Sequence, residues 1–129
     1  MKPQLIAFKK FLQTEFQAVD FETFRINFNL CLKREQDNIV IYEDDDYDDQ
    51  PFFFKPMLSD GFFIQTEVIK QLDYLAKVVE NPKDSDQQCC QNFYEALIVF
   101  ISALAITKGI NPNRFHQRLV NKFAIHAVY

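Results

Sequence analysis

The sequence predicts an α+β fold in a single domain, residues 1–129, and three patterns along the chain support this prediction. Apolar residues at helical spacing come first, a strict alternation of apolar and polar residues follows, and the second half contains several helix-start and helix-stop signals. A chain of 129 residues can bury a substantial core, and 48% hydrophobic with 25% charged residues is ordinary for a folded domain. The expected architecture is an N-terminal helix, a small antiparallel sheet and three C-terminal helices.

The first element is a helix from about Pro3 to Gln17. Proline suits the first turn of a helix, because the N–H group that it lacks would have no partner there. Apolar residues then recur at every third or fourth position and share one helix face: Leu5, Phe8, Leu12 and Phe16. The spacing therefore predicts an amphipathic helix.

A β-hairpin over about residues 23–43 is predicted next. Strict alternation is typical of a half-buried strand, because successive side chains point to opposite faces of a sheet. The residues that alternate with polar or small neighbours are Phe24, Ile26, Phe28, Leu30 and Leu32. Ile39 to Tyr42 form a second strand by their β-branched and aromatic content. The alternative, a helix through Phe21, Phe24 and Phe28, would leave Ile26, Leu30 and Leu32 spread around its circumference.

Short strands are expected over about residues 52–65, where Pro56 and Gly61 break the chain into pieces. These strands are expected at the edge of the sheet, because proline cannot donate a hydrogen bond to a strand ladder.

Three helices are predicted in the second half, over about residues 67–80, 86–108 and 112–124. Thr66 is the expected cap of the first, and Ser85 with Gln88 forms a capping-box pattern at the start of the second. Gly109 followed by Ile110 ends the second helix, and Pro112 begins the third.

The most informative feature for function is an acidic run, Glu43 to Asp49, with six carboxylates in seven residues. The chain has a formal net charge of -4, so the run contributes -6 and the remainder carries +2. Focal negative charge favours fast binding to a basic partner, and nearby aromatic residues can anchor such a contact. The sequence therefore predicts a protein-binding, non-enzymatic role, such as an immunity or inhibitor protein that covers the basic active site of a toxin or nuclease. The predicted partner-binding residues are Tyr42, Glu43, Asp44, Asp45, Asp46, Tyr47, Asp48, Asp49 and Phe52.

Composition argues against several other classes of protein. The sequence pI near 5.1 disfavours nucleic acid, and the apolar stretch Ala96 to Ile106 is too short for the roughly 20 residues that span a bilayer. Three cysteines without a CxxC motif, and an N-terminus unlike a signal peptide, indicate a reduced, cytoplasmic protein. No cofactor is expected, and no metal, because the cysteines and histidines lack the usual ligand spacing.

Three alternatives stay open. In the first alternative, the acidic run is not a binding site but a solvated loop that keeps the protein soluble. The Phe-rich edge, residues 52–63, is otherwise an interface through which the chain self-associates as a homodimer or adaptor. The third alternative is an enzyme with a pocket lined by Tyr42, Glu43 and His116, although His116 is predicted to be a buried, hydrogen-bonded structural residue.

Overall fold

The computed structural model describes residues 2–38 and 65–127, and these residues form six helices with no strand among them. In chain order the helices are α1 (Pro3–Gln17), α2 (Phe21–Asn38), α3 (Gln65–Val79), α4 (Asp86–Ala96), α5 (Ile98–Thr107) and α6 (Pro112–Phe123). The prediction of an α+β fold with an antiparallel sheet is therefore wrong, and the described part of the chain is all helical.

The helices pack in two groups. Helix α1 packs against α3 and α4, which also contact each other, whereas α5 packs against α2 and α6. Aromatic rings connect the groups: Phe8 of α1 stacks on Phe123 of α6 with centroids 4.4 Å apart, and Phe16 of α1 lies 5.7 Å from Phe100 of α5. The phenylalanines of the described helices thus supply much of the hydrophobic core.

Helix α2 replaces the first strand of the hairpin predicted over residues 23–43. Phe24 and Phe28 are fully buried, whereas Ile26 is 56% exposed and Leu30 is 59% exposed. The alternation in the sequence therefore comes from two apolar rows on opposite sides of one helix. Only the row with Phe24 and Phe28 meets the core, because that row faces α5.

The rest of the predicted sheet falls mainly on residues that the structure does not describe. The second hairpin strand, residues 39–43, and the short strands over residues 52–64 lie outside the described ranges. Gln65, at the end of the predicted strand region, begins helix α3. Thr66 consequently lies inside α3, one residue past its start, and is not its cap.

Local end signals locate the later helices well. Ser85 is the N-cap of α4, where its hydroxyl accepts a hydrogen bond from the Gln88 backbone N–H at 3.0 Å. The Gln88 side chain donates to Asn92 instead of returning to the cap, so only half of the predicted capping box forms.

The end of α5 is a Schellman motif. Gly109 adopts φ +74°, and its N–H donates to the carbonyl of Ile106, while the N–H of Ile110 donates to the carbonyl of Ala105. Glycine suits this position because the left-handed backbone disfavours residues with a Cβ atom. The C-terminal cap predicted at Gly109 and Ile110 is confirmed.

The single helix predicted over residues 86–108 is two helices, α4 and α5, which meet at a bend of 68°. Leu97 interrupts the helical backbone with φ -117° and ψ 19°, and its side chain is fully buried. The bend directs α4 toward α1 and α5 toward α2, so each helix reaches its own packing partner.

Within the described ranges, no single helix is long and apolar enough to cross a bilayer. Helices α4 and α5 reach that length and apolarity only as a pair, across the 68° bend.

The N-terminus of α1 is capped by a residue distant in sequence. The Asp86 carboxylate accepts hydrogen bonds from the backbone N–H groups of Gln4 at 2.7 Å and Leu5 at 3.0 Å. The first N–H groups of a helix have no partner within the helix, and a carboxylate there is also favoured by the helix dipole. Asp86, which lies in the first turn of α4, therefore fixes the start of α1 against α4.

Replacing Asp86 with Ala is expected to lower the free energy of unfolding by about 1–2 kcal/mol, the usual cost of losing a helix cap. Glu95→Ala, at an exposed position of the same helix, is the matched control and should change it by less than about 0.5 kcal/mol. Urea denaturation monitored by circular dichroism measures the free energy of unfolding of both variants. Equal effects of the two substitutions would contradict the capping role of Asp86.

Candidate functional site

The outward face of α2 carries two exposed apolar residues with a charged residue on either side of them. We define it by Glu22, Ile26, Leu30 and Lys33, which follow one another along the helix on the side opposite Phe24 and Phe28. Ile26 and Leu30 are adjacent in space, because residues four apart lie on the same helix face. Single exposed apolar residues are common on protein surfaces, whereas two neighbouring ones form a small apolar patch that a contact would cover.

Charged residues lie at both ends of this apolar pair. Glu22 is in the first turn of α2 and forms an ion pair with Arg25, with 3.1 Å between a guanidinium nitrogen and a carboxylate oxygen. The Glu22 side chain remains 67% exposed, and Lys33 is also exposed. Within residues 21–34, the outward face of α2 therefore carries an acidic residue before the apolar pair and a basic residue after it.

A second exposed apolar pair lies on α3, where Tyr74 is 54% exposed and Val78 is 59% exposed. This pair has acidic and basic neighbours in close alternation, Glu67 with Lys70 and Asp73 with Lys9. Those neighbours are already joined in ion pairs within the chain. On α2, by contrast, the acidic Glu22 and the basic Lys33 lie at opposite ends of the apolar pair, although Glu22 is likewise ion-paired within its chain, to Arg25.

A buried polar network lies between α4, α5 and α6. His116 is 1% exposed, and its two ring nitrogens lie 2.8 Å from the Tyr94 hydroxyl and 2.8 Å from the Ser102 hydroxyl. The prediction that His116 is a buried, hydrogen-bonded residue is confirmed. Ser102 also lines a pocket of about 120 Å³ together with Cys31, Arg34, Val99, Ile106 and Pro112.

Serine beside histidine resembles the geometry of a nucleophile and its base, but the pKa of His116 argues against that chemistry. Burial lowers the pKa of His116 from 6.5 to about 4, so the imidazole is neutral and weakly basic at pH 7. A general base works best when its pKa lies near the working pH. These properties favour a structural role, in which Tyr94 and Ser102 satisfy the hydrogen-bonding groups of a buried ring.

The cysteines form no disulfide bond, and Cys89 and Cys90 are fully buried. Burial, with the nearby Asp86 carboxylate, raises the pKa of Cys90 to about 12, so this thiol stays protonated at neutral pH. Within residues 2–38 and 65–127, no three His, Cys, Asp or Glu side chains come together as metal ligands.

The partner-binding residues predicted from the sequence, Tyr42 to Asp49 and Phe52, lie outside the described residues, as does the Phe-rich edge over residues 52–63. Of the predicted enzyme pocket, only His116 is described. The outward face of α2 was missed because Ile26 and Leu30 were assigned to the buried face of a strand. The signal that could have found them is the helical spacing of Phe24, Phe28 and Leu32, which places Ile26 and Leu30 opposite the core.

The described residues thus form an all-helical structure with an exposed helix face that is both apolar and charged. The chain belongs to the Mg296 protein family, whose model matches residues 2–122. It is 99% identical over 129 residues to a Mycoplasma genitalium protein described as "Uncharacterized protein MG296". It is 66% identical over 129 residues to "Uncharacterized protein MG296 homolog" of Mycoplasma pneumoniae, and both matches cover 100% of each chain. Among solved structures, the crystal structure of MPN423 from Mycoplasma pneumoniae matches with 56% identity, 100% coverage of both chains and a TM-score of 0.44.

Proposed function

We propose that this protein is a non-enzymatic protein-binding module and that the outward face of α2 is its docking surface. The observation that carries this proposal is the exposure of Ile26 and Leu30, 56% and 59%, side by side at the centre of a helix face. Complete burial of such a side chain stabilises by about 1.5–3 kcal/mol, so covering the exposed half of each offers roughly 1 kcal/mol or more. A partner that covers this face gains that free energy.

The charges around the apolar pair support specificity. Interfaces commonly combine an apolar centre with a polar rim, and charges at the rim orient the partner and speed association. Glu22 and Lys33 occupy such rim positions, at opposite ends of the outward face of α2.

The acidic run, Glu43 to Asp49, supports a more specific version of this function from the sequence alone. Its six carboxylates favour a basic partner, as an inhibitor of a toxin or nuclease would have. The docking surface on α2 does not include those residues.

Site-specific photo-crosslinking tests the docking surface. With the crosslinking residue p-benzoylphenylalanine at position 30, irradiation in cell extract that contains the chain at close to millimolar concentration is expected to give a discrete covalent product, because a docked partner would lie within reach of position 30. The same residue in place of Arg118, which is exposed on α6, is the matched control and should give no such product. Denaturing gels and mass spectrometry read out both experiments.

The product should also depend on the apolar centre. Ile26→Glu, made in the chain that carries the crosslinker at position 30, is expected to reduce the product at least about fivefold, because a charged group would have to be desolvated in the contact. The proposal is wrong if position 30 gives no product, or if the product persists undiminished in the Ile26→Glu chain. Circular dichroism verifies that each variant remains folded.

A further inference from the structure

We infer that the partner of the outward face of α2 is the same face of a second copy of this chain, paired antiparallel about a two-fold axis level with Phe28. The inference rests on the proposed function and names the partner of that site. It requires a self-complementary surface, since in a two-fold interface the same patch of both subunits must match itself.

The order of residues along α2 provides this self-complementarity. Ile26 and Leu30 lie two residues on either side of position 28, so an antiparallel copy places Ile26 against the partner subunit's Leu30. Glu22 and Lys33 lie at similar distances from the same point, about 9 Å and about 7.5 Å along the helix axis at 1.5 Å per residue. They also lie on the same edge of the apolar pair, because successive residues rotate by about 100° around a helix.

Consequently, Glu22 of each copy meets Lys33 of the partner subunit, and the dimer contains this ion pair twice. A parallel arrangement would instead bring Glu22 against Glu22 and Lys33 against Lys33, which is unfavourable. Glu22 also pairs with Arg25 of its own helix, so the electrostatic preference is modest, and the order of Glu22 and Lys33 across the apolar centre favours the antiparallel arrangement.

The contact is small. Two short helix faces bury less than the roughly 1,200 Å² that marks the lower limit of stable interfaces, so a weak, reversible dimer is expected, with a dissociation constant on the order of 10–1,000 µM. Such a dimer assembles only at high local concentration.

Reciprocal charge reversal tests both the partner and the orientation. Sedimentation equilibrium of the purified wild-type chain up to about 1 mM is expected to show reversible dimers. Glu22→Lys alone and Lys33→Glu alone should each weaken self-association on the order of tenfold, because each places like charges together at two points of the dimer. An equimolar mixture of the two variants should recover dimers of wild-type affinity, because each variant then supplies the charge that the other needs.

The double variant Glu22→Lys with Lys33→Glu serves as an internal control. It carries both substitutions, including any cost to α2 itself, yet its ion pairs are restored in the antiparallel dimer, so its self-association should match that of wild type. A wild-type chain that stays monomeric up to 1 mM, or a mixture and a double variant as weak as the single variants, would overturn the inference. Such a failure is distinguishable from failure of the proposed function, because a crosslink from position 30 to a different protein would support docking at this face without self-pairing.

Discussion

Replacing Phe24 with Ala is expected to lower the free energy of unfolding by about 3–5 kcal/mol, the usual cost of removing a buried ring from a close-packed core. Phe24 is fully buried, and its ring centroid lies 4.9 Å from that of Phe16 and 5.1 Å from that of Phe100. The matched substitution Ile26→Ala should change the free energy of unfolding by no more than about 0.5 kcal/mol, because Ile26 is 56% exposed. Urea denaturation of the two variants and the wild type provides the comparison.

This pair of substitutions distinguishes a helix from a strand in the same segment. Residues 24 and 26 share one face of a strand, whereas in a helix they lie about 200° apart. Large and similar losses for both variants would therefore contradict the helical structure of α2. A large loss for Phe24→Ala alone is the outcome that the structure requires.

Stability is expected to fall as the pH is lowered from 7.5 to 5, by about 2 kcal/mol from His116 alone. Burial lowers the pKa of His116 in the folded protein to about 4, while the unfolded chain has the ordinary value of 6.5. Between pH 4 and pH 6.5 the unfolded chain binds a proton that the folded protein does not bind, so acid favours unfolding. Above pH 6.5 this effect is absent, and below pH 4 it grows no further.

The two histidines of the chain offer a matched comparison for this effect. His116→Gln removes the titrating ring but retains hydrogen-bonding groups, so the variant should lose the part of the pH dependence that lies between pH 6.5 and 4. His126→Gln should keep the wild-type pH dependence, because His126 is exposed and its described hydrogen bonds to Gln91 use only its backbone. Identical pH profiles for the two variants would show that His116 does not titrate as expected.

Sequence reasoning located helix ends better than it assigned the type of element. The caps at Ser85 and Gly109 depend on residues within one turn, so their signals are fully contained in the local sequence. Helix α1 was predicted correctly because its apolar residues form a single row.

Helix α2 was misassigned because it has two apolar rows. Ile26 and Leu30 are offset by two residues from Phe24 and Phe28, and the combined pattern is the same as that of a strand. Packing against α5 decides which row is buried, and α5 lies far from α2 in the sequence. The bend at Leu97 was missed for a related reason: the residues that follow it are apolar all around the helix, and neither glycine nor proline marks the break.

The same misassignment of α2 explains why the candidate site was not predicted from the sequence. An outward face of α2 could not be proposed while Ile26 and Leu30 were assigned to a sheet core. The prediction for His116 succeeded because its place on the apolar side of α6 requires burial, and a buried imidazole requires hydrogen-bond partners.

The capping of α1 by Asp86 has a consequence for the order of events during synthesis. The hydrogen bonds from Gln4 and Leu5 to Asp86 span 82 and 81 residues, so α1 leaves the ribosome long before the carboxylate that completes it has been made. A 15-residue helix is only marginally stable alone in water. We therefore expect the N-terminal segment not to form a stable helix on the nascent chain until α4 has emerged. Folding should then be completed late in translation or after release.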